Sequence, residues 1–187
     1  DIGGGTTKLA LVRSGVVKQT AACHVGGRLL VWDDQLRVTR LEPRATELLT
    51  AMDMEVELGD VLSDDVINLL GEKLASTVCQ VVSGENSPDT RWLTERLEVP
   101  ADLDTVIFSG GVSEYIADPV VGGHNDIGQS LGNQLRQMLK ERSNSYKIRA
   151  SSGGIRATAL GASEFNIQVS GNTGHLSDPG LLLPRKN

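Results

Sequence analysis

The stretch Asp1-Ile2-Gly3-Gly4-Gly5-Thr6-Thr7-Lys8, running on into Leu9-Ala10-Leu11-Val12, decides how the rest of the chain is read. Leu9 to Val12 is an unbroken apolar run, the pattern of a buried strand. The three glycines therefore stand before a strand and not before a helix. Glycine has no Cβ, so its backbone can approach a polyphosphate and turn its N–H groups toward it. The neighbouring carboxylate, Asp1, can hold a hydrated Mg²⁺, which prefers oxygen ligands and keeps most of its waters. The same glycines also suit a tight turn with no ligand. The expectation is a hairpin turn from Asp1 to Thr6 between two strands, with any phosphate bound in that turn. The P-loop string G-x-x-x-x-G-K-[ST] does not occur, and these glycines lack the following helix of a dinucleotide fingerprint.

At 187 residues the chain is one ordinary domain, with room for a small appendage. Its apolar share of 39% is enough for a core. The formal net charge is −6, with acids and bases interspersed, and aromatic residues make up 3%. That composition offers neither a basic face for a phosphate backbone nor a stacking platform for bases, so nucleic acid is not an expected partner. No apolar run reaches membrane-spanning length and no signal-peptide pattern is present, so a membrane is not an expected partner either. Cys23 and Cys79 lie far apart with no C-x-x-C and read as free buried thiols in a reducing cytosol. His24, His124 and His175 show no metal-ligand spacing. A strand leading into a glycine turn normally carries several apolar residues ahead of the acid, so the chain is read as a fragment of a longer protein.

Beyond the first strand, Ser14-Gly15 marks a turn, and Val16 to Val25 reads as a second strand interrupted by Gly26-Gly27. Arg28 to Trp32 and Leu36 to Leu41 read as a hairpin around Asp33-Asp34. Ala45 to Met52 suits a short helix after Pro43, and Met54 to Asp60 an acidic loop. The clearest helix starts at Ser63-Asp64-Asp65. Ser63 can cap it, and the two acids complement its positive end. Val66, Leu70, Leu74, Val78 and Val81 form one apolar stripe, with Gly84 as the stop. Arg91 to Leu97 reads as a short helix closed off by Pro100. Thr105 to Phe108 is a buried strand ending in Ser109-Gly110-Gly111-Val112-Ser113-Glu114, and Asp118 to Asn125 is loop. Asp126 can cap a helix that carries Ile127, Leu131, Leu135 and Leu139 on one face. Lys147 to Arg149 is a short strand, Ile155 to Phe165 a small-residue helix, Ile167 to Val169 a last strand, and Gly171 to Asn187 a tail.

Three strands in a meander followed by alternating helices and strands make an α/β layer with a mixed sheet. Ligands in such layers gather at loops beyond strand ends. Gly3–Gly5 and Gly110–Gly111 are two such loops, expected on the same edge of one sheet and facing a common cleft. Gly110-Gly111 also suits a plain strand-to-helix turn.

Asp1-Ile2-Gly3-Gly4-Gly5-Thr6 resembles the second phosphate motif of the ATPase superfamily of actin, hexokinase and the heat-shock chaperones. Ser109-Gly110-Gly111-Val112 resembles its adenosine motif. The order of elements is similar to the second lobe of that actin-like, ribonuclease H-like fold. Within the superfamily the chain most resembles the EutA family of ethanolamine ammonia-lyase reactivating factors. The similar stretches are Asp1 to Val12, Val25 to Leu30, Phe108 to Glu114, Asp126 to Gly128, and Ile155 to Thr158 through Ser170 to Thr173.

The resemblance implies an actin-like lobe over residues 1–170 and a tail over 171–187. It implies ATP and Mg²⁺ as cofactors. Gly3, Gly4, Gly5 and Thr6 would present N–H groups to the β- and γ-phosphates, Gly110, Gly111 and Val112 would lie against adenosine, and Asp1 would hold Mg²⁺ through water. The implied partners are a nucleotide and ethanolamine ammonia-lyase with damaged adenosylcobalamin, whose release a chaperone-like action would promote. The implied location is the cytoplasm, with room for association with a bacterial microcompartment. The superfamily's first lobe is not represented, so the fragment supplies half of a nucleotide site and its own hydrolysis is expected to be negligible. Lys8 stands where heat-shock chaperones carry an Asp near the metal; it either reaches phosphate or points to solvent. A small-molecule kinase of the same superfamily and a non-hydrolysing interaction module are the alternative readings, which fold alone does not separate.

Overall fold

In the computed structural model, residues 1–85, 87–118, 122–141 and 146–150 are described. The strands β1 (Thr7–Arg13) and β2 (Val16–Cys23) pair antiparallel, from Thr7 opposite Cys23 to Arg13 opposite Val16. Ser14 and Gly15, at φ 52° and 74°, make the turn, a conformation whose twist matches that of the strands it joins. The strands β3 (Leu30–Trp32) and β4 (Val38–Leu41) form a second antiparallel pair. The strands β5 (Thr105–Phe108) and β6 (Lys147–Ala150) pair in parallel.

The architecture is thus mixed α/β, but the described residues form three two-stranded sheets in place of the expected meander in one mixed sheet. The reason lies after Cys23. The edge of β2 is taken by residues 91–94: His24 N–H donates to the Arg91 carbonyl and Leu93 N–H to the Ala22 carbonyl, each at 2.8 Å. The Ala22 N–H also donates to the Thr94 hydroxyl at 2.9 Å. The chain then turns at Gly26-Gly27 and leaves the ladder. The same bonds explain why Arg91 to Leu97 is not the expected helix. Its backbone is committed to β2.

Among the described residues four helices pack beside these strands: α1 (Pro43–Thr50), α2 (Asp64–Val82), α3 (Val112–Ala117) and α4 (Gly128–Glu141). Helix α2 starts as the sequence indicates, with Ser63 accepting from the Val66 N–H at 3.4 Å and Asp64 and Asp65 in the first turn. Its stripe of Leu70, Leu74 and Val78 is buried, as are Ile127, Leu131, Leu135 and Leu139 at and along α4. The two helices meet closely at Gly71, where a Cβ would stand 2.1 Å from the Ser130 hydroxyl. Burial of these aliphatic side chains is the main favourable term, each contributing about 1.5–3 kcal/mol. Cys23 and Cys79 are buried and not joined in a disulfide; burial pushes the Cys23 thiol up to about 11.

A charged clasp fastens residues 87–91 onto α1 and α2. Arg44, only 5% exposed, donates to Glu47 at 2.7 Å and to the Asp89 carbonyl, Arg91 pairs with Glu47, and Lys73 pairs with Asp89 at 2.6 Å. Hydrogen bonds from Arg91 and then Arg44 hold the Glu47 carboxyl down at about 2. The expected helix 155–165, strand 167–169 and tail 171–187 lie outside the described residues.

Candidate functional site

The segment Asp1 to Thr6 is a hairpin turn and opens no helix. Ile2 bridges Thr7 in antiparallel fashion, the Gly3 N–H donates to the Thr6 carbonyl at 3.0 Å, and the Lys8 N–H donates to the Asp1 carbonyl at 2.8 Å. On its other side Ile2 is tied to the end of β5. The Ile2 N–H donates to the Ser109 carbonyl at 2.7 Å, and the Ile2 carbonyl accepts from the Val112 N–H at 3.3 Å. This residue therefore holds the two glycine loops together. It is 1% exposed, so its side chain is packed into the core.

A third glycine segment, Gly26-Gly27, supports the first. The Gly27 and Arg28 N–H groups donate to the Gly3 and Gly4 carbonyls at 2.9 and 2.6 Å. A Cβ on Gly26 would lie 2.3 Å from the Gly4 carbonyl oxygen and 2.6 Å from the Gly4 and Gly5 carbonyl carbons. Only glycine permits that approach. Gly110 is constrained twice: its φ is +88°, and a Cβ there would stand 2.5 Å from the Ile2 carbonyl oxygen. At Gly5, in contrast, a Cβ would meet nothing within 4 Å.

Asp1, Gly3, Gly4, Gly5, Thr6, Gly110, Gly111 and Val112 all line one open cleft of about 660 Å³. The two glycine loops thus share one cleft. The cleft also takes in residues that the sequence did not single out as site residues: Gly27, Arg28, Glu114, Tyr115, His124 and Asp126. Lys8, half of an open question in the sequence, is exposed and lines the cleft as well. A second groove, of about 140 Å³ between β1 and β5, is mostly aliphatic, with Asp1, Thr7, Lys8 and Thr105 among its lining residues.

Among the described residues, the N–H groups of Gly4, Gly5 and Thr6 donate to no protein acceptor. Three successive backbone donors of this kind are the makings of an anion-binding nest. Helix α3 follows Gly111 directly, and the Ser113 hydroxyl donates to the Gly110 carbonyl at 2.6 Å, fixing that loop. Asp126 is set by pairing with β3. The Ile127 N–H donates to the Leu30 carbonyl at 3.0 Å and the Trp32 N–H to the Asn125 carbonyl at 2.9 Å. Its Oδ1 accepts from the Gly128 N–H at 2.9 Å, so it does cap α4. Burial pushes the Asp126 carboxyl up, and burial with the neighbouring Asp126 charge pushes the Tyr115 phenol up.

Among the described residues no group of three or more His, Cys, Asp or Glu is placed to hold a metal ion. Mg²⁺ differs from the cluster-bound metals in using one or two carboxylates and keeping several waters. Asp1 is the carboxylate beside the glycine turn: a Cβ on Gly3 would lie 3.9 Å from its Oδ1.

The model of the family described as "Ethanolamine utilisation protein EutA" matches residues 1–187. The chain belongs to the EutA family. It is 31% identical to the ethanolamine ammonia-lyase reactivase EutA of Salmonella typhimurium and 30% identical to that of Escherichia coli. Each match takes in 100% of this chain and 40% of the relative, so the chain spans well under half the length of these relatives. No solved structure matches it. Among the described residues no helix is long and apolar enough to cross a membrane.

Proposed function

We propose that this EutA-family chain forms one wall of the nucleotide site of an ATP-dependent reactivase. Its target is ethanolamine ammonia-lyase carrying damaged adenosylcobalamin, and its chaperone-like action promotes release of that cobalamin so that intact cofactor enters. The lobe is of the actin-like kind, and the site works in the cytoplasm. The observation that carries this reading is the meeting of the Gly3–Thr6 turn and the Gly110–Gly111 loop at one cleft, with three uncommitted N–H donors on the first.

In this reading the Gly4, Gly5 and Thr6 N–H groups bind the β- and γ-phosphates, while the Gly3 N–H, expected among them, is taken by the Thr6 carbonyl at 3.0 Å. Gly110, Gly111 and Val112 pack against adenosine. Asp1 holds a Mg²⁺ ion through water, and the ion would supply charge neutralisation on the phosphates. Phosphoryl transfer draws most of its rate from positioning and charge stabilisation. One wall cannot position an attacking water, so turnover belongs to the longer protein.

Calorimetric titration with ATP·Mg²⁺ and a phosphate-release assay, run on the full-length protein and on residues 1–187 side by side, test this. The full-length protein is expected to bind and hydrolyse ATP and to restore activity to inactivated ethanolamine ammonia-lyase only when ATP is present. The 187-residue chain is expected to bind weakly and to release phosphate at the background rate. Robust turnover by the short chain, or ATP-independent reactivation by the full-length protein, overturns the proposal.

A further inference from the structure

We propose that Arg28 recognises the terminal phosphate of the ligand in this cleft, a role that rests on the nucleotide reading above. Arg28 is fastened to the glycine turn by its own backbone, through the 2.6 Å bond to the Gly4 carbonyl. Its stem lies along Gly4: a Cβ there would meet the Arg28 Cδ, Cγ and Cβ at 3.4, 3.4 and 3.5 Å. The guanidinium is therefore delivered beside the uncommitted Gly4, Gly5 and Thr6 donors.

Among the described residues the Arg28 guanidinium is held by one long ion pair. The Arg28 side chain is 60% exposed, and its one carboxylate neighbour among the described residues, Asp126 Oδ2, is 4.0 Å from Nε. That is too long for a hydrogen bond. Asp126 itself is 8% exposed and uses Oδ1 to cap α4. Arg28 also lines a smaller groove of about 170 Å³ across the Gly4-Gly5 backbone, which the Gly110–Gly111 loop does not reach. The other guanidinium there, Arg40, is paired with Glu42 at 2.6 Å. Arg28 thus stands where the cleft meets the Gly4-Gly5 turn, the part proposed to hold the phosphates. A planar guanidinium suits that part because it can grip two oxygens of one phosphate, which an ammonium cannot do.

Full-length wild type, Arg28→Ala, Arg28→Lys and Lys8→Ala are titrated with ATP, ADP, AMP and inorganic tripolyphosphate. Arg28→Gln, which keeps the stem on Gly4, replaces Arg28→Ala if thermal unfolding shows the latter to be unfolded. Loss of Arg28 is expected to weaken ATP and tripolyphosphate by about 10- to 100-fold, the scale of charge-assisted hydrogen bonds. AMP should stay within about twofold, Arg28→Lys should recover only part, and Lys8→Ala should affect ATP and ADP alike. Equal losses for ATP and ADP in Arg28→Ala, or no loss, overturn the role of Arg28 and leave the nucleotide reading standing. Arg28-dependent binding of tripolyphosphate without binding of ATP upholds Arg28 and overturns the nucleotide reading. Wild type that binds none of the four overturns both.

Discussion

Between α2 and α4 the space is filled by side chains. Among the loops at Gly3–Thr6, Gly26-Gly27 and Gly110-Gly111 it is filled by backbone. Leu70, Leu74, Leu131 and Leu135 are all fully buried in the first region. In the second, the contacts of Gly26 with Gly4 and of Gly110 with Ile2 are made possible by missing side chains. The helix pair satisfies its own backbone groups and gains its stability from apolar burial. The cleft leaves successive backbone donors unsatisfied by the protein, which is tolerable only where solvent or a ligand can reach them. A molecule built this way keeps its stability in one place and its binding capacity in another.

Three substitutions test how far that division holds. Leu135→Ala, in the helix pair, should cost most, about 2–5 kcal/mol in urea unfolding, because a buried aliphatic side chain is replaced by a cavity. Its effect on ATP affinity at temperatures where it remains folded should be small. A large loss of affinity in the folded variant would show that the two regions are coupled.

Gly26→Ala should come next, at about 1–3 kcal/mol, as an overpacking change in which the obstruction is the Gly4–Gly5 backbone itself. Because that backbone carries the proposed phosphate donors, ATP affinity should fall together with stability. Unfolding and titration of one preparation check both. Wild-type affinity in this variant would mean that the turn does not depend on its support.

Gly5→Ala should be the mildest for stability, within about 0.5 kcal/mol of wild type by thermal unfolding, since its new methyl meets nothing within 4 Å. The methyl stands in the cleft, so ATP binding should weaken while stability does not. If Gly5→Ala unfolds the protein as readily as Gly26→Ala, the glycines form a single structural unit and the comparison fails.

The elements with strong local signals were legible in the chain itself. The Ser63 cap, the Leu70–Leu74–Val78 stripe, the Ser14-Gly15 turn and the Asp126 cap all depend on residues a few positions apart, and each stands where its chemistry puts it. Arg91 to Leu97 was misread as helix because its backbone partners, Ala22 and His24, lie about seventy residues away. Helix α3 shows in the sequence only through the strand-to-helix alternative at Gly110-Gly111, since six residues hold too little periodicity to mark a helix by themselves. Of the candidate site, both glycine loops were legible, while Arg28, Tyr115, His124 and Asp126 were not recognised as their neighbours. Arg28 stood in plain sight within Val25 to Leu30, and the glycine pair before it was the only signal.

The sequence alone determined that a glycine hairpin precedes a strand, that a second glycine loop follows another strand, and that the chain carries two amphipathic helices. Those features come from glycine's missing Cβ and from short-range periodicity, both of which a linear string carries. Only the tertiary structure decided which glycines are obligatory and which are free. Gly26 and Gly5 look alike in the chain, yet one is pressed against the Gly4 backbone and the other faces open space. It also decided that Arg28 stands beside Asp126, some hundred positions away, through the pairing of residues 125–127 with β3. Contacts of that kind are set by how whole elements pack, and no local pattern encodes them.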